Sequence, residues 1–429
     1  MNILVLGNGG REHVFAHKIK ESKHCDNLFI APGNAGTGLC GTNIDMAVSN
    51  FEAIGKFCIH NSIHLLIPGG EEALVAGISD YIKANETLNH IMVLGPSKLG
   101  ATLEGSKDFS KEFMQRHQIP TAAYQTFSKE TLADGKKFLT TLQSPYVLKA
   151  DGLAAGKGVL IIDDLLEAQN SLEEMLNGKF GSASSHVVIE EFLHGIEMSC
   201  FILTDGKNYK ILPEAKDYKR IGEGDTGLNT GGMGAISPVP FANTTFLNKV
   251  KERIIIPTIK GLEKDNIPYC GFIFIGLMNL NGEPFVIEYN VRMGDPETEV
   301  VFPRINNDCL ELFIAACKGN LNTIELDINN KTASTVFLVS KGYPENAEKG
   351  FEITGLENME GSIAYHAGTI LKGNKILTNG GRVIAVSSMG ENIQQAVNKS
   401  FQNAERINYE GKYYRKDIGK DLIKINEQI

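Results

Sequence analysis

The sequence contains no hydrophobic run that approaches the roughly 18 residues of a membrane-spanning helix. Its N-terminal apolar stretch covers only Ile3–Leu6 before glycines begin, and no basic residues precede it as they do in a secretory signal peptide. The chain has 429 residues, of which 42% are hydrophobic and 22% charged, as in soluble globular proteins. We therefore expect a cytoplasmic protein without a membrane partner, divided into about two to four domains.

The sequence also has no excess of positive charge and no Cys-x-x-Cys pair. The 42 Lys and Arg residues face 51 Asp and Glu residues, for a net charge of −9. This balance argues against nucleic acid as a partner, because that role usually needs a basic face. The seven cysteines are scattered and never spaced Cys-x-x-Cys, which favours reduced thiols over a disulfide framework or a zinc site. Any anionic ligand must be held by local groups of N–H donors and cations.

The most informative segment is 146–158, which reads Tyr-Val-Leu-Lys-Ala-Asp-Gly-Leu-Ala-Ala-Gly-Lys-Gly. An apolar strand carries Lys149 near its end, and a second apolar strand, 159–162, follows the loop. The loop contributes Gly152, Gly156, Lys157 and Gly158. Glycines let amides approach an anion and lysines neutralise it, so we expect a hairpin flap over a polyphosphate. The common phosphate loop would instead continue with Ser or Thr and open a helix. An ordinary glycine-rich hairpin is the alternative.

The first hundred residues repeat a strand–helix rhythm, which predicts a parallel sheet with ligands at the carboxyl ends of its strands. The predicted strands are Ile3–Leu6, Leu28–Ile30, His64–Ile67 and Ile91–Leu94. The loop after the first strand resembles a dinucleotide fingerprint, but Glu12 occupies the third glycine position. An anion at the helix N-terminus, with Arg11 adding charge, is the better interpretation.

The rest of the chain predicts a multidomain α/β and α+β protein. Residues 105–122 form a linking helix that ends near Ile119 and Pro120, and the tail from residue 332 alternates strands with one amphipathic helix over 393–407. The predicted domains are an N-terminal parallel-sheet unit over 1–103, a nucleotide-binding core over 104–325 with a flap subdomain at about 123–195, and a small α+β unit over 326–429.

Two further clusters carry candidate chemistry. Glu190 and Glu191 end a strand and precede the apolar pair Phe192-Leu193, which could bracket an adenine and its ribose; a solvated acidic turn is the alternative. Glu288 and Asn290 alternate on a strand and so share one face, where a carboxylate and an amide oxygen suit magnesium. Arg292 continues that face and could hold a transferring phosphoryl group, although a surface salt-bridge strand would look similar. The neighbouring strand, 272–278, has no acid.

A third cluster is the run 222–234, which has six glycines in thirteen residues. Such a loop inside a compact domain can direct several N–H donors at an oxyanion, and a merely flexible loop is the alternative. Lys107, at the start of the linking helix, would be a surface lysine without further context.

Together these clusters resemble the ATP-grasp ligases and, more narrowly, the phosphoribosylamine–glycine ligase (glycinamide ribonucleotide synthetase) family, over nearly the whole chain. The motifs that carry the resemblance lie at 7–13, 31–37, 103–107, 149–159, 229–235, 294–298, 366–369, 378–383 and 415–419.

The resemblance implies that ATP, glycine and 5-phosphoribosylamine give glycinamide ribonucleotide, ADP and phosphate through a glycyl phosphate, in purine biosynthesis. It implies Mg²⁺ or Mn²⁺ on Glu288 and Asn290, and a monomer or weak homodimer. Lys149, Arg292 and Asp295 would be catalytic. The implied ATP-binding residues are Lys107, Lys149, Gly152, Gly156, Lys157, Gly158, Glu190, Glu191, Phe192, Leu193 and Glu197. The implied substrate-binding residues are Asn8, Gly9, Gly10, Arg11, Gly33, Asn34, Glu71, Asp217, Lys219, Asn229, Thr230, Gly231 and Gly232.

The sequence departs from the family pattern at five positions. Gly70 and Ala73 replace prolines, Lys216 and Glu299 replace glutamines, and Tyr218 replaces a histidine. We hypothesise that Lys216 and Glu299 form an ion pair, since both replace neutral amides. Two alternatives to the ligase stay open: another purine-pathway ATP-grasp enzyme that uses formate or bicarbonate, and a nucleotide-binding sensor without turnover.

Overall fold

A computed structural model describes residues 1–154 and 158–427. The N-terminal strands are β1 (Asn2–Gly7), β2 (Asn27–Pro32), β3 (Thr42–Asn43), β4 (Ile63–Pro68) and β5 (Met92–Val93). They form a parallel sheet in the order β3-β2-β1-β4-β5, which confirms the predicted strand–helix unit. Its helices are α1 (Gly10–Lys20), α2 (Phe51–His60), α3 (Glu71–Ala76) and α4 (Ile78–Ala84). The carboxyl end of β1 therefore delivers the first glycine loop to the sheet edge where ligands bind.

The connection to the next unit consists of α5 (Lys98–Gly105) and α6 (Lys107–Arg116). The predicted helix over 105–122 is therefore too long, because the chain turns at Gln118, which adopts a φ of 56°. The N-terminus of α6 is capped twice: Ser106 Oγ accepts from Phe109 N at 3.1 Å, and Asp151 Oδ1 accepts from Asp108 N at 2.8 Å. The second cap ties the predicted flap to this helix.

The flap unit has its own hydrophobic core. Its elements are β6 (Tyr124–Ser128), α7 (Leu132–Leu139), β7 (Tyr146–Ala150), β8 (Val159–Ile162), α8 (Leu165–Glu174) and β9 (His186–Glu190). The strands form an antiparallel sheet in the order β6-β9-β7-β8, and Lys149 pairs with Val159 as the hairpin prediction requires. Gly156 and Lys157 lie outside the described residues.

The remaining strands are β10 (Ile196–Thr204), β11 (Tyr209–Asp217), β12 (Arg220–Gly222), β13 (Thr226–Asn229), β14 (Gly234–Ser237), β15 (Gly271–Leu280), β16 (Glu283–Asn290), β17 (Thr332–Val339), β18 (Ser362–His366), β19 (Thr369–Lys372), β20 (Lys375–Thr378) and β21 (Arg382–Gly390). The helices are α9 (Thr244–Val250), α10 (Ile256–Lys264), α11 (Thr298–Val301), α12 (Cys309–Cys317), α13 (Ile393–Arg406) and α14 (Lys420–Asn426). Two short hairpins, β12–β13 and β19–β20, stand apart from the main sheet.

One eight-stranded sheet runs through the nucleotide-binding core and the tail, in the order β16-β15-β10-β11-β14-β17-β21-β18. The tail strands join it through β14 and β17, where Gly234 pairs with Val336. Helix α13 packs its buried face, which includes Ala396 and Val397, against β17 and β21. The predicted multidomain α/β and α+β class is confirmed, and the domain boundaries stay predictions. No helix in the described parts of the chain is long and apolar enough to cross a membrane.

Candidate active site

A cleft of about 840 Å³ lies between the flap, the eight-stranded sheet and the loops of the N-terminal unit. The predicted residues that line it are Arg11, Glu71, Lys107, Lys149, Gly158, Glu190, Glu191, Phe192, Leu193, Glu197, Asp217, Lys219, Asn229, Thr230, Gly231, Glu288, Asn290, Arg292 and Asp295. The predicted residues found outside the lining are Asn8, Gly9, Gly10, Gly33, Asn34, Gly152 and Gly232. Segments far apart in the sequence thus converge on one site.

Lys149 lies at the flap side of the cleft in a buried ion pair. Its Nζ donates to Glu190 Oε2 at 2.9 Å and to the Ile287 carbonyl at 3.4 Å. That carbonyl is turned toward the flap by an irregularity in the β15–β16 pairing, which leaves Ile287 without a partner. Burial raises the pKa of Glu190, but Lys149 and Lys111 outweigh it and hold the carboxyl ionised.

Lys111 is a site residue that the sequence reasoning missed. Its Nζ lies 3.2 Å from Glu190 Oε1 and donates to Thr121 Oγ1 at 2.7 Å. Burial lowers its pKa to about 8, although Glu190 opposes the shift. The available signal was its position one helical turn after Lys107, which puts both lysines on one face of α6.

Lys107 belongs to the cleft and not to an open surface. Its Nζ donates to the Gly152 carbonyl at 3.3 Å. Burial lowers its pKa, and Glu288 acts in the opposite direction. Three lysines therefore supply positive charge on the flap side of the cleft, and Glu288 of β16 lies close enough to Lys107 to affect its charge.

Glu288 and Asn290 project from the face of β16 opposite to Tyr289, whose Oη bonds Thr258 Oγ1 at 2.7 Å beneath the sheet. Asn290 is 8% exposed, and its Nδ2 has no protein partner among the described residues. A half-turn of the amide exchanges its nitrogen and oxygen, so either atom can face the cleft. A carboxylate beside an amide oxygen is a hard donor set that fits a divalent cation.

Arg292 is held between two acids. Its Nε donates to Glu71 Oε2 at 3.2 Å, and its Nη2 lies 2.8 Å from Glu104 Oε1. Burial works to raise the pKa of Glu71, but Arg292 and Arg11 lower it to about 2. Glu104 was missed by the sequence reasoning, although it stands in the quoted 103–107 motif. It fixes the guanidinium plane beside the metal-binding candidates.

Asp295 is held between two arginines. Its Oδ2 accepts from Arg11 N at 3.3 Å, and its Oδ1 lies 2.9 Å from Arg382 Nη2. Arg382 also donates through Nη1 to the Gly231 carbonyl at 2.6 Å. Arg382 was missed too, although it stands in the quoted 378–383 motif. It connects Asp295 to the glycine-rich loop.

Glu12 accounts for the sequence of the first loop. Its Oε2 accepts from Gly9 N at 2.6 Å, and its Oε1 accepts from Arg11 Nε at 2.7 Å. A Cβ at Gly69 would lie 2.1 Å from Glu12 Oε1, so only glycine fits there. Glu12, the acid that interrupts the dinucleotide fingerprint, therefore stabilises the first loop through these two hydrogen bonds.

Asn34 makes its side-chain bonds within the fold. Its Nδ2 donates to the carbonyls of Asn8 and His366 at 2.9 and 2.7 Å, and its Oδ1 accepts from Gly36 N and Thr37 N. These bonds join the first two loops to the tail. Substrate contacts by Asn34 and the neighbouring loop residues stay predictions.

A further group of acids and one lysine lines the cleft. Lys219 Nζ donates to Glu197 Oε2 at 2.7 Å. Glu297, another missed residue, accepts from Ser199 Oγ at 3.0 Å. Burial, and then the charge of Asp217, raises the pKa of Glu297 to about 7. This part of the cleft carries a carboxyl group that can change its charge near neutral pH.

The hypothesised Lys216–Glu299 pair is wrong. Lys216 Nζ lies 3.0 Å from Asp421 Oδ2 and 3.9 Å from the centre of the Tyr218 ring. Glu299 is instead buried beside Asp295, and neither of its carboxyl oxygens accepts a hydrogen bond from another residue in the described parts of the chain. Helix α14 brings Asp421 to Lys216, a partner that local sequence could not reveal.

The tail also clamps the glycine-rich loop. Arg415 is 1% exposed, and its guanidinium lies 2.7 Å from both Asp225 and Asp417. Asp417 Oδ2 in turn accepts from Gly224 N at 2.8 Å. The loop forms the β12–β13 hairpin and is tied down at its tip, which disfavours a merely flexible linker.

The sequence matches models of three domains of phosphoribosylglycinamide synthetase: the N domain over residues 1–104, the ATP-grasp (A) domain over 105–298 and the C domain over 333–421. It is 42% identical over 425 residues to a phosphoribosylamine–glycine ligase of Haemophilus influenzae, covering 98% of each chain.

The fold resembles those of many solved structures, and two of them illustrate the range of identity. A phosphoribosylamine–glycine ligase of Thermotoga maritima superimposes with a TM-score of 0.84 at 35% identity, over 97% of this chain and all of that one. The biotin carboxylase domain of the Hydrogenobacter thermophilus 2-oxoglutarate carboxylase gives a TM-score of 0.71 at 18% identity, over 99% of this chain and 93% of that one. The second likeness concerns the fold alone.

Proposed function

Because this chain belongs to the phosphoribosylglycinamide synthetase family, we propose that it joins glycine to 5-phosphoribosylamine at the expense of ATP. The products are glycinamide ribonucleotide, ADP and phosphate, as one step of purine biosynthesis. The observation that carries this function is the family match over residues 1–298 and 333–421. The cleft of the same chain gathers Lys107, Lys111, Lys149, Glu288 and the loops of the N-terminal unit.

The chemistry requires that several anions lie close together. Bringing two unit charges within 4 Å costs roughly 1–4 kcal/mol per pair at effective dielectric constants of 80 to 20. A triphosphate beside a carboxylate substrate multiplies that cost. Lys107, Lys111 and Lys149 lie where they can offset it, and the first glycine loop adds Arg11.

Catalysis then depends on positioning and charge neutralisation. A glycine carboxylate oxygen attacks the γ-phosphorus, and ADP leaves. The amine of phosphoribosylamine attacks the resulting acyl carbon, loses a proton and displaces phosphate. Arg292 and Asp295 lie at the end of the cleft where these steps would occur, and no covalent enzyme intermediate is needed.

Glu288 and Asn290 would hold a divalent cation, Mg²⁺ or Mn²⁺, which would neutralise phosphate charge when bound. Phe192 and Leu193 would contact the adenine, and Glu197, oriented by Lys219, would contact the ribose. Glu190 is occupied by two lysines, so we assign it to orienting them and not to the ribose.

The test is phosphate release from the purified protein. We expect release only when ATP, glycine and freshly generated phosphoribosylamine are all present. Turnover with formate or bicarbonate and no glycine requirement would favour a different ATP-grasp enzyme, and ATP binding without release in any combination would favour a sensor. Sedimentation at several concentrations tests the proposed monomer or weak homodimer, and fractionation of cells tests the proposed cytoplasmic location.

A further inference from the structure

Glu299 is a buried acid that the proposed mechanism does not use. It is 0% exposed, and neither carboxyl oxygen accepts a hydrogen bond from another residue among those described, while the Glu299 carboxyl lies within hydrogen-bond reach of the Asp295 carboxylate. A Cβ at Gly10 would lie 2.2 Å from its Oε1, so the first glycine loop passes directly over it. An ionised carboxylate without donors is strongly unfavourable in a protein interior. The site therefore suits a neutral acid.

Four ionisable side chains face Glu299, each from a different element. Asp295 precedes α11, Arg382 lies on β21, Arg11 on α1 and Tyr365 on β18. Burial raises the pKa of Glu299 well above its usual value, the charge of Asp295 raises it further, and the arginines only partly oppose the rise.

Asp295 behaves in the opposite way. Burial works to raise its pKa, but Arg382 and Arg11 outweigh burial and lower it. Burial and the surrounding charges therefore favour placing a single shared proton on Glu299, with Asp295 ionised against its arginines.

We propose that Glu299 is a positioning residue whose protonated carboxyl donates a hydrogen bond to Asp295 and fixes it between Arg11 and Arg382. This inference rests on the proposed role of Asp295 at the reacting end of the cleft. The glutamine that usually stands at this position in the family also offers a donor, through its amide. The glutamate differs from it in being able to lose a proton, and its ionisation would place two repelling carboxylates under the first glycine loop.

Infrared spectroscopy tests the proton directly. The spectrum of the wild-type protein minus that of E299Q, both at neutral pH, is expected to contain the C=O stretching band of a protonated carboxyl group, because other acids cancel in the difference. Absence of that band would overturn the proposal. This readout does not depend on turnover, so it stays valid even if the proposed ligase activity fails.

The pH profile tests the positioning role. We compare kcat/KM of E299Q with that of the wild type at equal phosphoribosylamine concentration. The ratio of the E299Q value to the wild-type value is expected to rise at least tenfold from neutral to alkaline pH, because residue 299 can lose a proton only in the wild type. E299L, which has no donor, is expected to have a lowered kcat/KM at every pH. E391Q, a change at an exposed acid far from the cleft, controls for a general effect of losing a carboxylate. A ratio for E299Q that does not change with pH would overturn the positioning role even if the infrared band is present.

Discussion

Lys149 and Glu190 form a buried ion pair between neighbouring strands, with Lys149 Nζ 2.9 Å from Glu190 Oε2. Strand β7 pairs with β9 so that Lys149 lies opposite Val188, which places its side chain diagonally across from Glu190. Because Lys111 approaches the other carboxyl oxygen, Glu190 holds two ammonium groups at the flap side of the cleft. The pair orients positive charge before any anion arrives.

Replacing Lys149 with alanine should impair the use of ATP more than it impairs folding. Removing one preorganised electrostatic donor typically costs about 10²–10³ in rate, and we expect kcat/KM for ATP to fall by about that factor. Glu190 keeps Lys111 as a partner, so the loss in unfolding free energy should stay below the roughly 3–5 kcal/mol that is typical of a broken buried ion pair. K179A removes a surface lysine paired with Glu174 and is the matched control. An unaltered rate and ATP affinity in K149A would remove Lys149 from the site.

Replacing Glu288 with glutamine should weaken the metal dependence. We expect the Mg²⁺ or Mn²⁺ concentration that gives half-maximal activity to rise at least about tenfold, since a carboxylate ligand contributes more than the outer-shell partners whose loss costs about 10–100-fold. Activity is measured across a titration of each metal. E283Q changes an acid on the same strand that pairs with Lys249 and lies outside the cleft lining. If E288Q and E283Q give the same metal titration as the wild type, the metal assignment is wrong.

The sequence predicted those residues whose roles depend on local spacing. Glu288 and Asn290 share a face because strand side chains alternate, and Lys149 ends up in the cleft because the hairpin predicted around it is formed. The parallel N-terminal sheet followed from its strand–helix rhythm in the same way. These features needed no knowledge of distant contacts.

Glu104 and Arg382, two of the residues that were missed, acquire their contacts from partners far along the chain. Glu104 bonds Val291, and Arg382 bonds Asp295 and Gly231. The opposite charges of Lys216 and Glu299 alone suggested an ion pair between them, but opposite charge says nothing about how far apart two side chains lie in the fold.

A double-mutant cycle distinguishes the observed partner of Lys216 from the hypothesised one. Contacting residues typically show coupling energies of about 0.5–3 kcal/mol. Lys216 and Asp421 should couple in unfolding free energy near the lower end of that range, because the side chain of Asp421 is substantially exposed. The cycle uses K216M and D421N with urea unfolding. K216M combined with E299Q should be additive within about 0.5 kcal/mol. Equal coupling in both cycles would contradict the contacts described above.

Glu71 should stabilise the protein except in acid. Its pKa is about 2 in the folded protein and near 4.5 in the unfolded chain. Its contribution to the free energy of unfolding is therefore fully present above pH 4.5 and is lost as the pH falls toward 2. The side chain is 35% exposed, so we expect solvent screening to limit the effect to about 1–2 kcal/mol. E71Q should therefore be less stable than the wild type by that amount at pH 7, and the difference should shrink toward pH 2. Urea unfolding at several pH values measures this, with the exposed neighbour E72Q as control. A difference that grows as the pH falls would contradict the ion pair.

Arg415 should be required for order in the glycine-rich loop. Removing one partner of a buried ion pair typically costs about 3–5 kcal/mol, because the remaining buried charge loses its compensation. Here that cost falls on Asp417, because the Asp225 side chain is 59% exposed. In R415A, Asp225 and Asp417 lose their ion-pair partner. Asp417, which accepts the hydrogen bond from Gly224 N, is then no longer held in place by the arginine. We expect trypsin to cleave native R415A after Lys219 and Arg220 at least tenfold faster than the wild type, with cleavage sites identified by mass spectrometry. K416A removes an adjacent exposed lysine and should leave these rates unchanged. Equal cleavage rates in R415A and the wild type would mean that the loop holds its form without the tail.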